Sequence, residues 1–344
     1  MVEASRLSHD LGGPGFDLLE RVRDTVERFE MLEGDAPCVV AVSGGPDSLC
    51  LLDILTRLDV RPLVVGHVDH GLSETSESIA VGVARLAAEA GLDVHVARAQ
   101  GLEGANLHAR ARAFRYSFFD TIMRETGADR VATGHTLDDR VETTLARFIH
   151  GAGTSVLAGL KAVEGARVRP LLALRRSETR RYCEERELEY VDDPANSDPR
   201  FERTRVRTEI LAAIEGRFGD GAVRAMATSI DRLAEDAKAL EGLTDSLYPT
   251  LVSDDGTGPR FEVADLEKLP RALGRRILER AIGRVRDRAG GIEAALDALE
   301  KKDKSSEGRR FSVASGIEIA IDEKHLSLYK AGAGAGPSDE DERG

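Results

Sequence analysis

Four short apolar runs, alternating with stretches of helical periodicity, dominate the first 150 residues and leave little choice of architecture. The runs are Pro37 to Val42 (PCVVAV), Pro62 to Val68 (PLVVGHV), Asp93 to Ala97 (DVHVA) and Asp129 to Gly134 (DRVATG). Continuous valine-rich runs of this length suit strands buried on both faces. Between and after them lie Leu49 to Leu58, Glu74 to Ala90, Ala105 to Thr126 and Asp138 to Ile149, all read as helices, and Leu18 to Met31 precedes the first run as an amphipathic helix. This alternation predicts an α/β fold: a doubly wound, mostly parallel sheet covered by helices on both faces. Ligands on such sheets bind beyond the carboxyl ends of the strands.

The pattern changes near Gly219. Helical periodicity continues over Ala222 to Leu240, Val263 to Val285 and Ile292 to Lys301, and Arg309 to Tyr329 then alternates apolar and polar residues across a DEK turn, as two or three antiparallel strands would. The chain therefore reads as a first domain over 17–218 and a smaller, mainly helical C-terminal domain over 219–330 ending in a β-hairpin. Residues 1–16 and the acidic tail 331–344 are expected to be disordered.

Charge bears on partners. A net charge of −13 opposes a nucleic-acid partner on its face, but arginines gather at 167–181 and again at Arg271, Arg275, Arg276, Arg280, Arg284, Arg286 and Arg288. Each group is either a phosphate-binding face or a solvated helix face with intermixed acids. No apolar run approaches the roughly 20 residues that span a bilayer, and no basic flank precedes an apolar segment at the amino terminus, so no membrane partner and a cytoplasmic address are expected. The three cysteines, Cys38, Cys50 and Cys183, form no CxxC pattern and read as small buried hydrophobes.

The first run ends in Ser43-Gly44-Gly45-Pro46-Asp47-Ser48 and passes into a helix, where backbone N–H groups and the helix dipole can receive an anion. The glycines admit close approach and the two serines offer hydroxyls. Asp47 beside phosphates would repel them unless a divalent cation lay between, which points to Mg²⁺ held jointly with a nucleotide. No lysine stands here, so this is not a Walker A loop. The second run closes in His67-Val68-Asp69-His70-Gly71-Leu72; extended alternation gives no tetrahedral metal set, and packing or a contact to adenosine is the expected role.

Two later stretches add charge at the same sheet edge. Arg112 and Arg115, three apart, share a helix face. The fourth run leads into Gly134-His135-Thr136-Leu137-Asp138-Asp139-Arg140-Val141-Glu142-Thr143, with Asp139 and Glu142 also three apart. One carboxylate at a helix start is a cap; three with a histidine ask for more. Downstream, Asp193, Asn196 and Asp198 suit turns, and Arg203, Arg205 and Arg207 suit phosphate.

SGGPDS resembles the signature of the PP-loop ATP pyrophosphatases, which cleave ATP between the α and β phosphates to form adenylates. Together with HVDHGL, ARAFRY, GHTLDDRVET, RPLL and DPANSDPRFERTRVR, in this order and spacing, it is similar to the tRNA(Ile)-lysidine synthetases, closely over about 36–215 and weakly beyond. The resemblance implies a ligase that adenylates the wobble cytidine of tRNA(Ile) with a CAU anticodon and joins L-lysine to its C2 position. The products are lysidine, AMP and pyrophosphate, and codon reading changes from AUG to AUA. It implies ATP cradled by Ser43 to Ser48, Mg²⁺ on Asp47, lysine bound by Asp139 and Glu142, and catalytic work by Asp47, Arg112, His135, Asp139, Glu142, Arg203 and Arg207. Contact with tRNA would fall to Arg115, Arg205, Arg271, Arg275, Arg276 and Arg280; a homodimer is left open. The family's second histidine, glutamine and asparagine are here Thr136, Arg140 and Thr204.

The chemistry explains the need for such groups. Cytosine C2 is a poor electrophile until its oxygen becomes a leaving group, and Mg²⁺ and arginines can neutralise the departing pyrophosphate. The lysine side chain has a pKa of about 10.4, so roughly one molecule in 2,500 is neutral at pH 7, and a carboxylate must bind and relieve the ammonium. Three rivals stand beside this reading: a PP-loop tRNA thiolase, which usually needs reactive cysteines, a non-catalytic ATP-binding module and an amidotransferase-type ligase.

Overall fold

The computed structural model describes residues 14–59, 61–69, 76–99, 107–191, 201–254, 258–283, 291–300, 309–313 and 316–330. The expectations placed on His70, Gly71, Leu72, Asp193, Asn196, Asp198, Arg284, Arg286, Arg288 and on the two chain ends before 14 and after 330 lie outside the described residues.

Helix α1 (Pro14–Arg28) precedes a six-stranded sheet of β1 (Cys38–Ala41), β2 (Leu63–Asp69), β3 (Asp93–Arg98), β4 (Arg130–Thr133), β5 (Val163–Glu164) and β6 (Arg167–Val168). The strand order is β3-β2-β1-β4-β6-β5, parallel throughout except for the β5–β6 pair. Between the first strands run α2 (Pro46–Leu58), α3 (Ser76–Glu89) and α4 (Leu107–Thr126). The doubly wound sheet expected from the alternation is the one observed. Strand β1 lies centrally, with Val39 in register with Val64 on one side and Val131 on the other. Neighbouring residues of β1 face opposite ways: Val39 packs with Phe119, Ile122 and Val131, whereas Val40 joins Leu19, Leu51, Leu55 and Leu171, and both valines are wholly buried. Two apolar faces remove any polar alternation, which is why the strand reads as an unbroken run. Each such valine contributes roughly 1.5–3 kcal/mol on burial.

Strands β5 and β6 hold two residues each and were invisible to periodicity. They make a hairpin at Gly165, whose φ is +60°, and extend the sheet past β4. Helices α5 (Leu137–Ile149), α6 (Thr154–Leu157), α7 (Arg176–Glu185), α8 (Glu202–Arg205), α9 (Ala212–Phe218) and α10 (Gly221–Leu251) follow, with a π-helical segment at Val206–Leu211 between α8 and α9.

The chain divides into two compact units between Ala234 and Glu235, inside α10. Helix α10 runs for 31 residues, past the expected Leu240, with Pro249 in its last turn. The second unit is more β-rich than its sequence suggested. Strands β7 (Val252–Asp254), β8 (Pro259–Glu262), β9 (Arg309–Val313), β10 (Ile317–Ile321) and β11 (His325–Lys330) form an antiparallel sheet in the order β7-β8-β11-β10-β9; the segment from Arg309 to Tyr329 gives three strands, within the two or three expected there, and β7 and β8 are additional. The expected helix from Val263 to Val285 is two, α11 (Val263–Leu266) and α12 (Arg271–Ala281), with Pro270 flanking the second; α13 (Gly291–Glu300) follows. A core of Phe261, Ile277, Leu278, Ile292, Leu296, Ile319, Leu326 and Leu328 fills the space between helices and sheet. Among the described residues no helix is long and apolar enough to cross a membrane.

Candidate active site

The loop from Ser43 to Ser48 leaves the carboxyl end of β1 and enters α2 with Gly45 as its cap and Pro46 as the first helical residue. Gly44 has φ +87°, and a Cβ there would stand 2.3 Å from Ile79 Cγ2, so glycine is obligatory on both counts. The Ser48 hydroxyl donates to the Gly45 carbonyl at 2.8 Å and accepts from Ser43 N at 3.1 Å; the Ser43 hydroxyl donates to Ser48 Oγ at 3.2 Å. In this arrangement the serines brace the loop, where the sequence reading had them offering protons to phosphate. Gly134, just past β4, presses against the loop: a Cβ would lie 3.0 Å from the Asp47 carbonyl and 3.1 Å from Ser48 N. Val191 N donates to Gly44 O at 3.1 Å. A tight glycine turn at a helix start, with no room for side chains, fits a polyphosphate.

Asp47 is largely buried, and burial pushes its carboxyl up to about 6 against the opposing pull of the Thr179 hydroxyl, which donates to it, and of Arg176. A single carboxylate beside a phosphate cradle fits Mg²⁺, which takes one or two carboxylates and completes its shell with phosphate oxygens and water.

Helix α5 brings the other carboxylates to the same sheet edge. Thr136 caps it through a capping box: Asp139 N donates to the Thr136 hydroxyl at 3.5 Å, and Thr136 N and its hydroxyl donate to Asp139 Oδ2 at 2.7 and 2.8 Å. The departure at Thr136 thus has a structural role. Asp139 and Glu142 face the phosphate loop together, and Glu142 is wholly buried. The expected acidic trio is a pair, because Asp138 turns away. It binds Arg175 at 3.1–3.2 Å and accepts from Arg176 N at 2.8 Å, fixing the start of α7.

Three guanidiniums cover the pair. Arg176 reaches Glu142 Oε1 at 2.8 Å, Asp139 Oδ1 at 2.9 Å and Asp47 Oδ2 at 3.6 Å. Arg203 reaches Asp139 Oδ1 at 2.5 Å and Glu142 Oε2 at 3.1 Å, and Arg207 reaches Glu142 Oε1 at 2.9 Å. Arg203 lies in the short α8 and Arg207 in the π-helical segment that follows it, and both converge on one carboxylate; π turns recur at functional sites. Burial alone would raise the Asp139 carboxyl, but Arg176 and Arg203 outweigh it and hold it at about 2. Three carboxylates against three guanidiniums leave the cluster neutral.

His135 stands 2.8 Å from the Thr133 hydroxyl through Nδ1, and burial depresses it to about 4, so it is a neutral imidazole near pH 7. Arg112 is exposed on α4 with its guanidinium 5.0 Å from the Tyr116 ring, which Arg167 also approaches at 4.1 Å; Arg115 follows one turn on. Arg205 is exposed. Arg140 and Thr204, the other two departures, face elsewhere: Arg140 pairs with Asp231 at 2.6 Å and Thr204 is buried. His67 is buried, its Nδ1–H donating to Val42 O at 2.8 Å beside the loop.

Sequence reading missed Arg176 and Thr179. Arg176 falls in the arginine group at 167–181, read as either a phosphate-binding face or a solvated helix face, and nothing in that pattern marks it as a partner of the carboxylates. The α12 arginines are ion-paired. Arg271 binds Glu293, Asp297 and Glu300 at 2.6–2.8 Å, Arg275 binds Glu293, and Arg280 binds Asp245. Arg276 is 8% exposed and faces Glu241 at 3.6 Å. Carboxylates already neutralise this face, and a buried Arg276 offers no surface to phosphate.

The family model for the PP-loop domain matches residues 18–214, which hold the loop, the carboxylate pair and all three arginines. A tRNA(Ile)-lysidine synthase from Symbiobacterium thermophilum is 37% identical over 324 residues, covering 88% of this chain and 67% of that one. Another from Leifsonia xyli is 39% identical over 252 residues, covering 70% of this chain and 74% of its own. The chain belongs to the tRNA(Ile)-lysidine synthase family. Members of this family are ligases built on an ATP-binding PP-loop domain. Among solved structures, a U34-tRNA thiolase from Methanococcus maripaludis with its [4Fe-4S] cluster superposes with a TM-score of 0.52 at 22% identity, covering 64% of this chain and 79% of that one, a likeness of fold alone. The cysteines here differ from a reactive set. All three are buried, and burial pushes the Cys38 and Cys183 thiols up to about 12.

Proposed function

We propose that the protein ligates L-lysine to C2 of the wobble cytidine in tRNA(Ile) with a CAU anticodon, through an adenylated tRNA, releasing AMP and pyrophosphate as lysidine forms. The observation that carries this reading is the facing of Asp139 and Glu142 toward Asp47 and the glycine turn, bridged by Arg176. A phosphate cradle alone would serve any ATP-binding module. Two buried carboxylates across from it add a receptor for a cation, and the lysine ammonium is a cation that must also lose protons.

The chain's groups divide the work as follows. The turn at Gly44 and Gly45 and the start of α2 receive the triphosphate, and Asp47 is the residue that would hold Mg²⁺, which would supply charge to offset that of the departing pyrophosphate. Arg112, exposed on α4, and Arg203 and Arg207 supply further positive charge to the phosphates. Asp139 and Glu142 orient the lysine amine, and the proton it sheds passes to a carboxylate. His135, neutral near pH 7, positions these groups by hydrogen bonding. Arg115 and Arg205 offer charge to the RNA backbone. Of the second unit, the ion-paired α12 face gives little support to a phosphate-binding role.

The test is direct. The protein is incubated with ATP, Mg²⁺, lysine and a CAU-anticodon tRNA(Ile) transcript, and the digested nucleosides are weighed. A mass gain matching condensation of cytidine with lysine is expected; sulfur incorporation, or AMP release that ignores the RNA, would overturn the proposal.

A further inference from the structure

Every oxygen of the carboxylate pair is already occupied. Glu142 Oε1 accepts from Arg176 and Arg207 and Oε2 from Arg203, while Asp139 Oδ1 accepts from Arg176 and Arg203 and Oδ2 from Thr136. A lysine ammonium needs those same acceptors, so at least one guanidinium must leave before it binds. The three are not equivalent. Among the described residues Arg203 and Arg207 contact the pair alone, whereas Arg176 also faces Asp47 of the phosphate loop at 3.6 Å. Its backbone is pinned, because its N–H donates to Asp138 at the start of α7, so the side chain can redirect without moving the helix. An arriving triphosphate brings several negative charges to the side of Arg176 that faces the loop, and guanidinium binds phosphate in the same forked manner as carboxylate.

We propose that Arg176 is a charge switch that occupies the lysine-binding carboxylates until a triphosphate in the loop draws it away, so that nucleotide loading admits lysine. The proposal rests on the reading of the site as one for ATP and lysine. Lysine held away from an empty enzyme would not block the loop, and the carboxylates would never stand bare beside it. Linkage makes the effect reciprocal: whatever factor the nucleotide adds to lysine affinity, lysine adds to nucleotide affinity.

Calorimetric titration of L-lysine into the full-length protein, with and without α,β-methylene-ATP and magnesium chloride, tests it. Wild type is expected to bind lysine at least about tenfold more tightly with the analogue present, within the usual range of such couplings. R176Q is expected to bind lysine more tightly than wild type when no nucleotide is present, and its ratio between the two states is expected to fall toward one. A merely structural residue would give no such gain. R176K, with its charge kept but its fork lost, should lie between, which guards against a variant that simply misfolds. Equal lysine affinity in both states of the wild type would overturn the switch, as would an unchanged ratio in R176Q, or no detectable lysine binding in either state. The nucleoside assay run alongside separates the failures: lysidine formed without coupling sinks the switch alone, and no lysine-containing product sinks the functional reading with it.

Discussion

Replacing Glu142 by Gln removes one charge from a cluster that balances three against three. Glu142 is wholly buried and takes guanidinium contacts at 2.8, 2.9 and 3.1 Å. Charge-assisted hydrogen bonds contribute roughly 1.5–3 kcal/mol each, which would sum to more than the net effect. Two corrections reduce it: the Gln carbonyl still accepts, and Arg203 and Arg207, 42% and 31% exposed, can turn to water. Arg176 is the most enclosed of the three and, among the described residues, keeps Asp139 and Asp47 as its charged partners. Breaking a buried pair from one side costs about 3–5 kcal/mol, so about 2–4 kcal/mol is expected after these corrections. For a unit of this size that lowers the melting temperature by about 5–15 °C. Loss of a charged acceptor should also raise the KM for lysine at least about tenfold, with a much smaller change for ATP. Calorimetric melts and lysine-dependent turnover measure both quantities. A melt within about 1 °C of wild type would refute the energetic reasoning, and an unchanged lysine KM would remove Glu142 from amine recognition.

Three further outcomes are expected. Gly134→Ala drives a Cβ to 3.0 Å from the Asp47 carbonyl, and overpacking of about 1–3 kcal/mol should displace the loop and weaken ATP binding by tenfold or more; unaltered affinity in a filter or calorimetric assay would mean the contact does not shape the loop. Thr136→Ala removes the cap of α5 and should cost about 0.5–2 kcal/mol in urea unfolding, and no change in midpoint would show that the capping box is without energetic weight. Hydrogen bonding from Arg275, then from Arg271, holds Glu293 at about 2, below its unfolded value, so its stabilisation is complete above roughly pH 4.5 and disappears as pH falls through about 2. Glu293→Gln should therefore lower the stability of the second unit modestly at pH 7, the carboxylate being half exposed, and the deficit should shrink toward pH 2; a deficit independent of pH would count against the assignment.

What was legible in the sequence is what local rules determine. The buried strands announced themselves as valine runs, and the glycine turn with Asp47 needed only the strand before it and the helix after it. The carboxylate pair followed from the spacing of Asp139 and Glu142 on one helix. Arg176 was not legible, because its partners lie 34 and 37 residues back and only the sheet crossover brings α7 onto α5. The ion pairing of the α12 arginines was hidden for the same reason. Their neutralising acids come from α10 and α13, so a basic stripe in sequence is an ion-paired surface in space. Strands β5 and β6 were too short for any periodicity to register, and the second unit's sheet assembles from segments that each carry few alternations.

All three cysteines of the chain belong to the first unit and none to the second, and each thiol is enclosed. A thiolate must form and meet solvent before an alkylating reagent can attack it. Labelling kinetics on the unmodified protein therefore act as a clock for the opening of the nucleotide-binding half alone, with Cys50 and Cys183, packed beneath the glycine turn, timing the part of the core on which catalysis stands.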